Sequence, residues 1–124
     1  MADAFAAVDI GTNSFHLVVA RVYANQRFEV IASEKEMIRL GSGSGDMKLL
    51  TDDAIDRGIA CLRRFRQVAA ISAARLTAVA TSAVREAENR DEFLERCRTE
   101  AGVEVEVISG VEEARLIHLG VLQA

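Results

Sequence analysis

Aromatic residues are scarce in this sequence of 124 residues, and the chain has no excess of positive charge. Only 5% of the residues are aromatic, so valine, isoleucine, leucine and alanine must supply most of the core. That composition suits parallel strands covered by helices. The formal net charge is −4, and no basic field marks the chain as a nucleic-acid-binding protein. We therefore expect no nucleic-acid partner, and a polyanionic ligand would have to be attracted by a local site.

The sequence also lacks a signal peptide before its first apolar segment and an apolar run long enough to cross a membrane. We therefore expect a cytoplasmic protein with no membrane partner. The two cysteines, Cys61 and Cys97, form neither a C-x-x-C motif nor a cluster with histidine. Both fall on apolar faces of predicted helices, which favours two reduced core thiols over a disulfide or a metal site.

Hydrophobic patterning predicts five strands and three helices in the order βββαβαβα. Strands over 5–10, 15–23 and 28–40 follow one another through short links, which is typical of an antiparallel meander. A helix over 52–71 follows, with Thr51 as its N-cap. The remaining elements are a strand at 76–80, a helix after Asn89, a strand at 103–107 and a helix from Ser109 to the end.

Local signals support these boundaries and the class of fold. Asn89 with Glu92, and Ser109 with Glu112, have the spacing of capping boxes, and Gly102 stops the middle helix. Each β-α-β crossover is expected to be right-handed, so the first, fourth and fifth strands can lie side by side and point one way. The pattern therefore predicts an α/β domain.

Polar residues follow each of these three parallel strands. In open α/β sheets, ligands bind beyond the carboxyl ends of the strands. The segments 9–14, 81–85 and 109–113 should therefore line one crevice. It would contain a Gly/Ser/Asn-rich turn, an arginine, a helix N-terminus and two carboxylates.

The first of these segments has the composition of a phosphate-binding turn. Gly11 lets the main chain approach a ligand, and the N–H groups of Thr12, Asn13 and Ser14 can point at phosphate oxygens. Asp9 lies within an apolar strand, where a carboxylate is costly to bury unless it has a partner such as a hydrated cation. The alternative is an ordinary hairpin turn with Asp9 bonded to the backbone.

The other two segments supply an arginine and two glutamates. Arg85 could hold phosphate through two hydrogen bonds, or it could be a surface residue paired with Glu86 or Glu88. Glu112 can fold back onto the N-cap amide of Ser109, which is a structural role. Glu113 shares the inner face of the last helix, where the helix dipole keeps it ionised, as a general base requires. Simple complementation of the dipole is the alternative for Glu113.

Three stretches of the sequence resemble the motifs of one family. AVDIGTNSFHL at 7–17 resembles the first phosphate-binding motif of the Ppx/GppA phosphatase family, and ATSAVREAENR at 80–90 looks like its second signature. VISGVEEARLI at 107–117 is similar to the third, which is highly specific. The first motif alone is shared with sugar kinases, actin and the heat-shock chaperone ATPases. The resemblance covers essentially the whole chain, in order.

The resemblance implies the architecture in more detail. It implies an actin-like, ribonuclease-H-like domain over 1–124, with mixed sheet order 3-2-1-4-5 and helices on both faces. A second, C-terminal actin-like domain normally follows, and the active site lies between the two. The family's second phosphate loop, of the DIGGGS type, has no counterpart in these 124 residues. We therefore expect this chain to hold half of a site and to have little or no activity by itself.

The resemblance also implies a function and roles for residues. Family members release orthophosphate from the end of inorganic polyphosphate or convert pppGpp to ppGpp, with Mg²⁺ as cofactor. By resemblance, Glu113 is the catalytic glutamate that activates water, and Asp9 is a metal ligand, either directly or through water. Phosphates would be bound by the remaining matched positions, which are Gly11, Thr12, Asn13, Ser14, Ser82 and Arg85.

Two other functions are compatible with the motifs. A non-catalytic sensor of polyphosphate or a guanosine alarmone would keep all of them. An actin-like ATP-binding domain would explain the first motif but not the segment 109–117. A homodimer is possible. His16 is expected to pack within its strand, and His118 lies at no spacing typical of a metal ligand.

Overall fold

The computed structural model describes residues 3–41 and 49–115. The chain opens with three antiparallel strands, as the sequence predicts. They are β1 (Asp3–Ile10), β2 (Ser14–Val22) and β3 (Phe28–Met37). At the β2–β3 turn, Tyr23 N–H donates to the Arg27 carbonyl over 2.8 Å, and Gln26 adopts a positive φ of 66°.

The remaining elements alternate between helix and strand. They are helix α1 (Asp52–Ile71), strand β4 (Arg75–Ala80), the single turn α2 (Ser82–Arg85), helix α3 (Arg90–Arg96), a π-helical turn (Cys97–Ala101) that continues α3, and strand β5 (Val105–Val107). A last helix, α4, begins at residue 110 and is described to 115. Strands β1, β4 and β5 run parallel, and the sheet order is β3-β2-β1-β4-β5. The predicted topology is confirmed.

The core lies between one face of the sheet and two helices. Alternate residues of β1 point towards it, so that Ala6, Val8 and Ile10 are buried while their neighbours are exposed. Helix α1 passes close to β2 and α3. A Cβ added to Gly58 would lie 3.2 Å from Phe15 and 3.4 Å from Phe93, so glycine permits the close approach of three elements.

The opposite face of the sheet carries exposed side chains, including Phe28 and Val30 of β3. Helices α1 and α3 both contribute to the single core cluster on the first face. The expectation that helices also cover the second face depends on the chain after Arg115, which lies outside the described residues. Within the described residues, no helix is long and apolar enough to span a bilayer.

Several local predictions are confirmed. The Thr51 hydroxyl accepts from Ala54 N–H at 3.1 Å and caps α1, which has the predicted bounds. Gly102 ends the π-helical turn in the left-handed conformation, with φ of 67°. Cys61 and Cys97 are free and fully buried. The alternation of valine with Glu104 and Glu106 predicts a strand near a sheet edge, and β5 does lie at the edge with Glu106 exposed.

Other local predictions are wrong for identifiable reasons. The side chain of Asn89 does not cap α3, because its amide group bonds both the N–H and the carbonyl of Leu50, each over 2.9 Å. Strand β3 ends at Met37 instead of residue 40, because Ile38 and Arg39 turn towards Asn13, with Arg39 at a positive φ of 57°. The turn α2 was not predicted.

Candidate phosphate-binding edge of the sheet

The carboxyl ends of the three parallel strands meet at one edge of the sheet. The Ile10 carbonyl accepts from both the N–H (3.2 Å) and the hydroxyl (3.4 Å) of Thr81. The Ala80 carbonyl accepts from Ile108 N–H over 3.0 Å. The segments that follow β1, β4 and β5 are therefore neighbours, as the sequence predicts. We call the residues 9–14, 82–85 and 108–113 the strand-end site.

The turn between β1 and β2 is short and closely packed. Gly11 N–H donates to the Ser14 carbonyl over 3.1 Å, and a Cβ on Gly11 would lie 3.0 Å from that oxygen. Glycine is therefore favoured because any side chain would crowd the closing carbonyl. Thr12 and Asn13, at the tip of the turn, are exposed. The turn links two antiparallel strands, as the alternative of an ordinary hairpin turn also predicts. Its tip is open to a ligand.

The segment after β3 supports this turn from one side. The Asn13 carbonyl accepts from the N–H groups of Ile38 (2.9 Å) and Arg39 (2.8 Å), and the Thr12 carbonyl accepts from Gly41 N–H (3.2 Å). A Cβ on Gly41 would lie only 2.7 Å from Cγ2 of Thr12, so the chain can approach this closely because residue 41 is glycine. Sequence patterning gave no sign of this contact.

Ser82 supports the turn from the other side. Its hydroxyl oxygen lies 2.9 Å from the hydroxyl oxygen of Thr12, and either group can be the donor. Ser82 is the first residue of α2, and the preceding residue, Thr81, is held to the Ile10 carbonyl. Two residues that the sequence assigned to phosphate binding are thus in direct contact.

Arg85 is held at the centre of the site. Its Nη1 donates to the Ile108 carbonyl over 2.8 Å and lies 4.0 Å from Oε2 of Glu113. Its Nε lies 3.6 Å from Oε1 of Glu86, so the surface pair expected as the alternative is also present and is closer than the pair with Glu113. The Arg85 side chain is only 26% exposed.

The first turn of α4 separates the two glutamates as predicted. Glu112 is exposed, and its N–H donates to the Ser109 hydroxyl over 3.0 Å. The reciprocal bond from the Glu112 carboxylate stays a prediction. Glu113 is partly buried and approaches Arg85, so it is the glutamate that faces the strand-end site.

The exposure of Asp9 differs from what the sequence predicts. It lies on the open face of the sheet and is exposed, so its carboxylate is not enclosed by apolar residues as expected. Partial desolvation raises the pKa of the Asp9 carboxyl, the nearby negative charge of Glu113 raises it further, and His16 lowers it. Asp9 is therefore close enough to Glu113 for the two charges to repel.

His16 lies beside Asp9 in the register between β1 and β2. Its Nε2 lies 3.2 Å from the hydroxyl oxygen of Ser33 on β3, and the residue is exposed. His16 therefore lies on the open face of the sheet, against the neighbouring strand β3. His118 lies outside the described residues.

The metal-binding capacity of the described part of the chain is limited. No group of three or more histidine, cysteine, aspartate or glutamate side chains within 3–41 and 49–115 could hold a metal ion. Asp9 and Glu113 are two neighbouring carboxylates whose repulsion a cation would relieve. Mg²⁺ commonly binds one or two carboxylates and completes its shell with water and substrate phosphates, so this pair fits such an ion.

A separate concavity of about 710 Å³ lies at the other end of the sheet. It is lined by Tyr23, Arg27 and Phe28 of the β2–β3 hairpin, among others. The polar groups that converge at the strand-end site are absent from its lining. We therefore place the candidate site at the strand ends, where the hydroxyl, guanidinium and carboxylate groups meet.

The fold and this site together define an α/β domain of the actin-like type with a polar edge suited to phosphate groups. Comparison with solved structures agrees. A Ppx/GppA family member from Aquifex aeolicus is 32% identical, with a TM-score of 0.91 over 98% of this chain. An exopolyphosphatase from Cytophaga hutchinsonii is 36% identical, with a TM-score of 0.93 over 98% of this chain. Nucleoside triphosphate hydrolases from Neospora caninum share only the fold, at 9% identity and a TM-score of 0.57 over 90% of this chain and 29% of theirs.

The model of the Ppx/GppA phosphatase family matches residues 18–124. The chain belongs to the Ppx/GppA phosphatase family. It covers 40% of the Aquifex protein and 39% of the Cytophaga protein, so it spans about two fifths of the length of these relatives.

Proposed function

We propose that this chain is the phosphate-binding half of a phosphohydrolase. The reaction would release orthophosphate from the end of inorganic polyphosphate or convert pppGpp to ppGpp. Both substrates end in a phosphoanhydride, so one site can serve either chemistry. The observation that carries the proposal is the position of Arg85, whose Nη1 lies 4.0 Å from the Glu113 carboxylate at the edge that also holds the 11–14 turn.

The phosphate groups would be held by the main chain and by two side chains. The N–H groups of the 11–14 turn supply donors, with Gly11 allowing close approach. The Ser82 hydroxyl lies beside this turn, and Arg85 can form two bonds to a phosphate. The domain carries a net negative charge, so these local donors must offset its repulsion of a polyanion.

Glu113 would act as the general base. Its carboxylate takes a proton from a water molecule as the water oxygen forms a bond to the terminal phosphorus. The bridging P–O bond breaks, and its electron pair stays on the shortened chain or nucleotide, while orthophosphate is released. Phosphoryl transfer depends mostly on positioning and charge stabilisation, which is what an arginine beside an orienting carboxylate provides.

Mg²⁺ is the cofactor that we propose, with Asp9 as its ligand, either directly or through water. When bound, it would neutralise phosphate charge in the transition state. The pKa of Asp9 is raised by desolvation and by Glu113, and a cation held by Asp9 would offset both effects. The further ligands of such an ion would come from the substrate and from protein outside the described residues.

The rest of the site would come from a second, C-terminal domain of the longer protein. Since this chain spans about two fifths of the length of its relatives, we propose that it binds phosphate with little or no turnover by itself. The second domain is thus the protein partner that we propose, together with polyphosphate or pppGpp as ligand.

The proposal can be tested in the longer protein by replacing Glu113. Glu113→Gln should lower phosphate release from polyphosphate or pppGpp roughly 10²- to 10⁴-fold, the usual contribution of a general base, while calorimetry still shows ligand binding. Glu112→Gln is the matched control, because Glu112 lies next to it but is exposed. Unchanged turnover in Glu113→Gln would remove this residue from the mechanism. Binding without turnover in the unsubstituted protein would instead indicate a sensor.

A further inference from the structure

Arg57, on the first half of α1, contacts the segment that supports the 11–14 turn. Its Nε and Nη2 donate to the Ile38 carbonyl over 3.1 Å and 2.9 Å, and its Nη1 donates to Asp53 over 2.6 Å. The guanidinium group is therefore held by two acceptors at once. The bonds to Ile38 fix the position of one peptide unit relative to the helix.

That peptide unit is the one that holds the turn. The carbonyl of Ile38 and the N–H of Arg39 belong to the same planar peptide group, and this N–H donates to the Asn13 carbonyl over 2.8 Å. A carbonyl that accepts two bonds from a cation polarises its peptide group and strengthens the N–H as a donor. The Asn13 carbonyl in turn shares its peptide group with the N–H of Ser14, one of the donors that we propose for phosphate.

The backbone conformation of Arg39 is one that neighbouring contacts must stabilise. Arg39 adopts φ of 57°, a conformation that side chains other than glycine and asparagine seldom adopt. Such conformations persist where surrounding contacts determine them. Two contacts act on the peptide group that precedes Arg39, namely Arg57 on its oxygen and Asn13 on its nitrogen.

We infer that Arg57 is a positioning residue for the phosphate-binding turn. It lies outside the strand-end site and acts through the Ile38–Arg39 peptide group, which orients the peptide group between Asn13 and Ser14. This inference rests on the proposed function in so far as the turn binds phosphate. The contact between Arg57 and the turn can be measured without any ligand.

The chain offers a closely matched control for Arg57. Arg63 is on the same helix, and its Nε also donates to a backbone carbonyl, that of Glu100, over 2.9 Å. It makes this contact at the π-helical turn 97–101, remote from the 11–14 turn. Arg57→Met and Arg63→Met therefore remove the same charge and the same kind of bond, and only the first should affect the turn.

The first measurement is the rate of amide hydrogen exchange, which NMR records residue by residue in the absence of ligand. Arg57→Met should speed exchange at the amides of Ile38 and Arg39 at least fivefold more than Arg63→Met does. Equal exchange rates at these amides in the two variants would overturn the inference. If Arg57→Met does not fold, Arg57→Lys serves instead, because it keeps the charge beside Asp53 while it cannot make both bonds to Ile38.

The second measurement is the affinity for tripolyphosphate. Arg57→Met should raise the Kd roughly two- to tenfold, as expected for one lost hydrogen-bonding contact, and Arg63→Met should leave it unchanged. Arg57→Lys should also bind more weakly than the unsubstituted chain. Full affinity in Arg57→Lys would show that charge alone acts, and this would contradict positioning. If the unsubstituted chain does not bind tripolyphosphate, the proposed function fails, and the exchange rates still decide the role of Arg57.

Discussion

The hydroxyl oxygens of Thr12 and Ser82 lie 2.9 Å apart, although 70 positions separate the two residues in the chain. The contact joins the turn after β1 to the first residue of α2, and so links two of the three segments of the strand-end site. The contact is exposed to solvent, so a ligand can reach both hydroxyl groups and replace the bond between them.

Replacing Thr12 by valine removes this hydroxyl and keeps the shape of the side chain. We expect Thr12→Val to lower the free energy of unfolding by about 0.5–1.5 kcal/mol, the net value of a typical hydrogen bond. Ser82→Ala should have a similar effect. Because both substitutions remove the same hydrogen bond, the double variant should be no less stable than the less stable of the two single variants. Chemical denaturation of the four proteins measures this coupling. Strictly additive losses would show that the two hydroxyls do not interact.

Gly41 gives a prediction based on packing. A Cβ at this position would lie 2.7 Å from Cγ2 of Thr12, so Gly41→Ala should cost about 1–3 kcal/mol, the usual cost of overpacking. Gly110→Ala is the control, because a Cβ there would have nothing within 4 Å.

A second substitution, at Thr12, can remove the atom that the new Cβ of Gly41→Ala would contact too closely. Thr12→Ser removes Cγ2 and keeps the hydroxyl, so most of the cost of Gly41→Ala should disappear in the Thr12→Ser background. Thermal unfolding of the single and double variants gives the answer. An equal loss of stability in both backgrounds would contradict the close contact between Gly41 and Thr12.

Asp9 gives a pH-dependent prediction. Because desolvation and Glu113 raise its pKa in the folded chain, the ionised carboxyl is less favourable in the folded state than in the unfolded state. At neutral pH this opposes folding, and the effect vanishes as the pH falls through the folded and then the unfolded pKa. Asp9→Asn should therefore have a higher Tm than the unsubstituted chain at pH 7. The difference should disappear near about pH 3, where the carboxyl is neutral in both states.

The opposite change in the Tm of Asp9→Asn would assign a different role to the Asp9 carboxylate. A lower Tm of Asp9→Asn at pH 7 would show that the carboxylate stabilises the fold. Such stabilisation would place Asp9 in a structural role instead of a metal-binding one. The added effect of MgCl₂ on the Tm of the unsubstituted chain, compared with Asp9→Asn, separates these roles further.

The buried thiols should be unreactive in the folded chain. Burial raises the pKa of Cys97 to about 12, and burial together with the neighbouring Glu36 raises the pKa of Cys61 above its usual range. At pH 8 only about one Cys97 thiol in ten thousand would be ionised. Iodoacetamide should therefore label neither cysteine within minutes until denaturant is added. Rapid labelling of the native chain would contradict this burial.

Particular residues show how far the sequence alone could lead. Hydrophobic periodicity and the handedness of crossovers predicted the order of the elements along the chain and the parallel direction of β1, β4 and β5, because both depend on local spacing. The full strand order β3-β2-β1-β4-β5 was what the family resemblance implied. Glu113 could be told from Glu112 because helical geometry places adjacent residues on different faces. Asp9 was wrongly expected to be buried. Its strand neighbours Val8 and Ile10 face the core, and Asp9 lies between them on the alternate, exposed face.

Contacts between a side chain and a distant backbone group could not be predicted in the same way. Asn89 has the spacing of a helix cap, yet its amide bonds to Leu50, 39 positions away. Arg57 belongs to none of the three motifs, yet its guanidinium group donates two hydrogen bonds to the Ile38 carbonyl. Such contacts leave no periodic signal, because one polar residue at the right place in space is sufficient.

The most direct test of the central claim is an NMR titration of this chain with tripolyphosphate in the presence of MgCl₂. The claim is that the 11–14 turn, Ser82, Arg85 and Glu113 form one phosphate site. The account predicts that backbone amides in all of these segments shift together with a single Kd, while those of the hairpin at 23–29 do not move. Shifts confined to one segment, or different Kd values for the 11–14 turn and for Arg85, would contradict it.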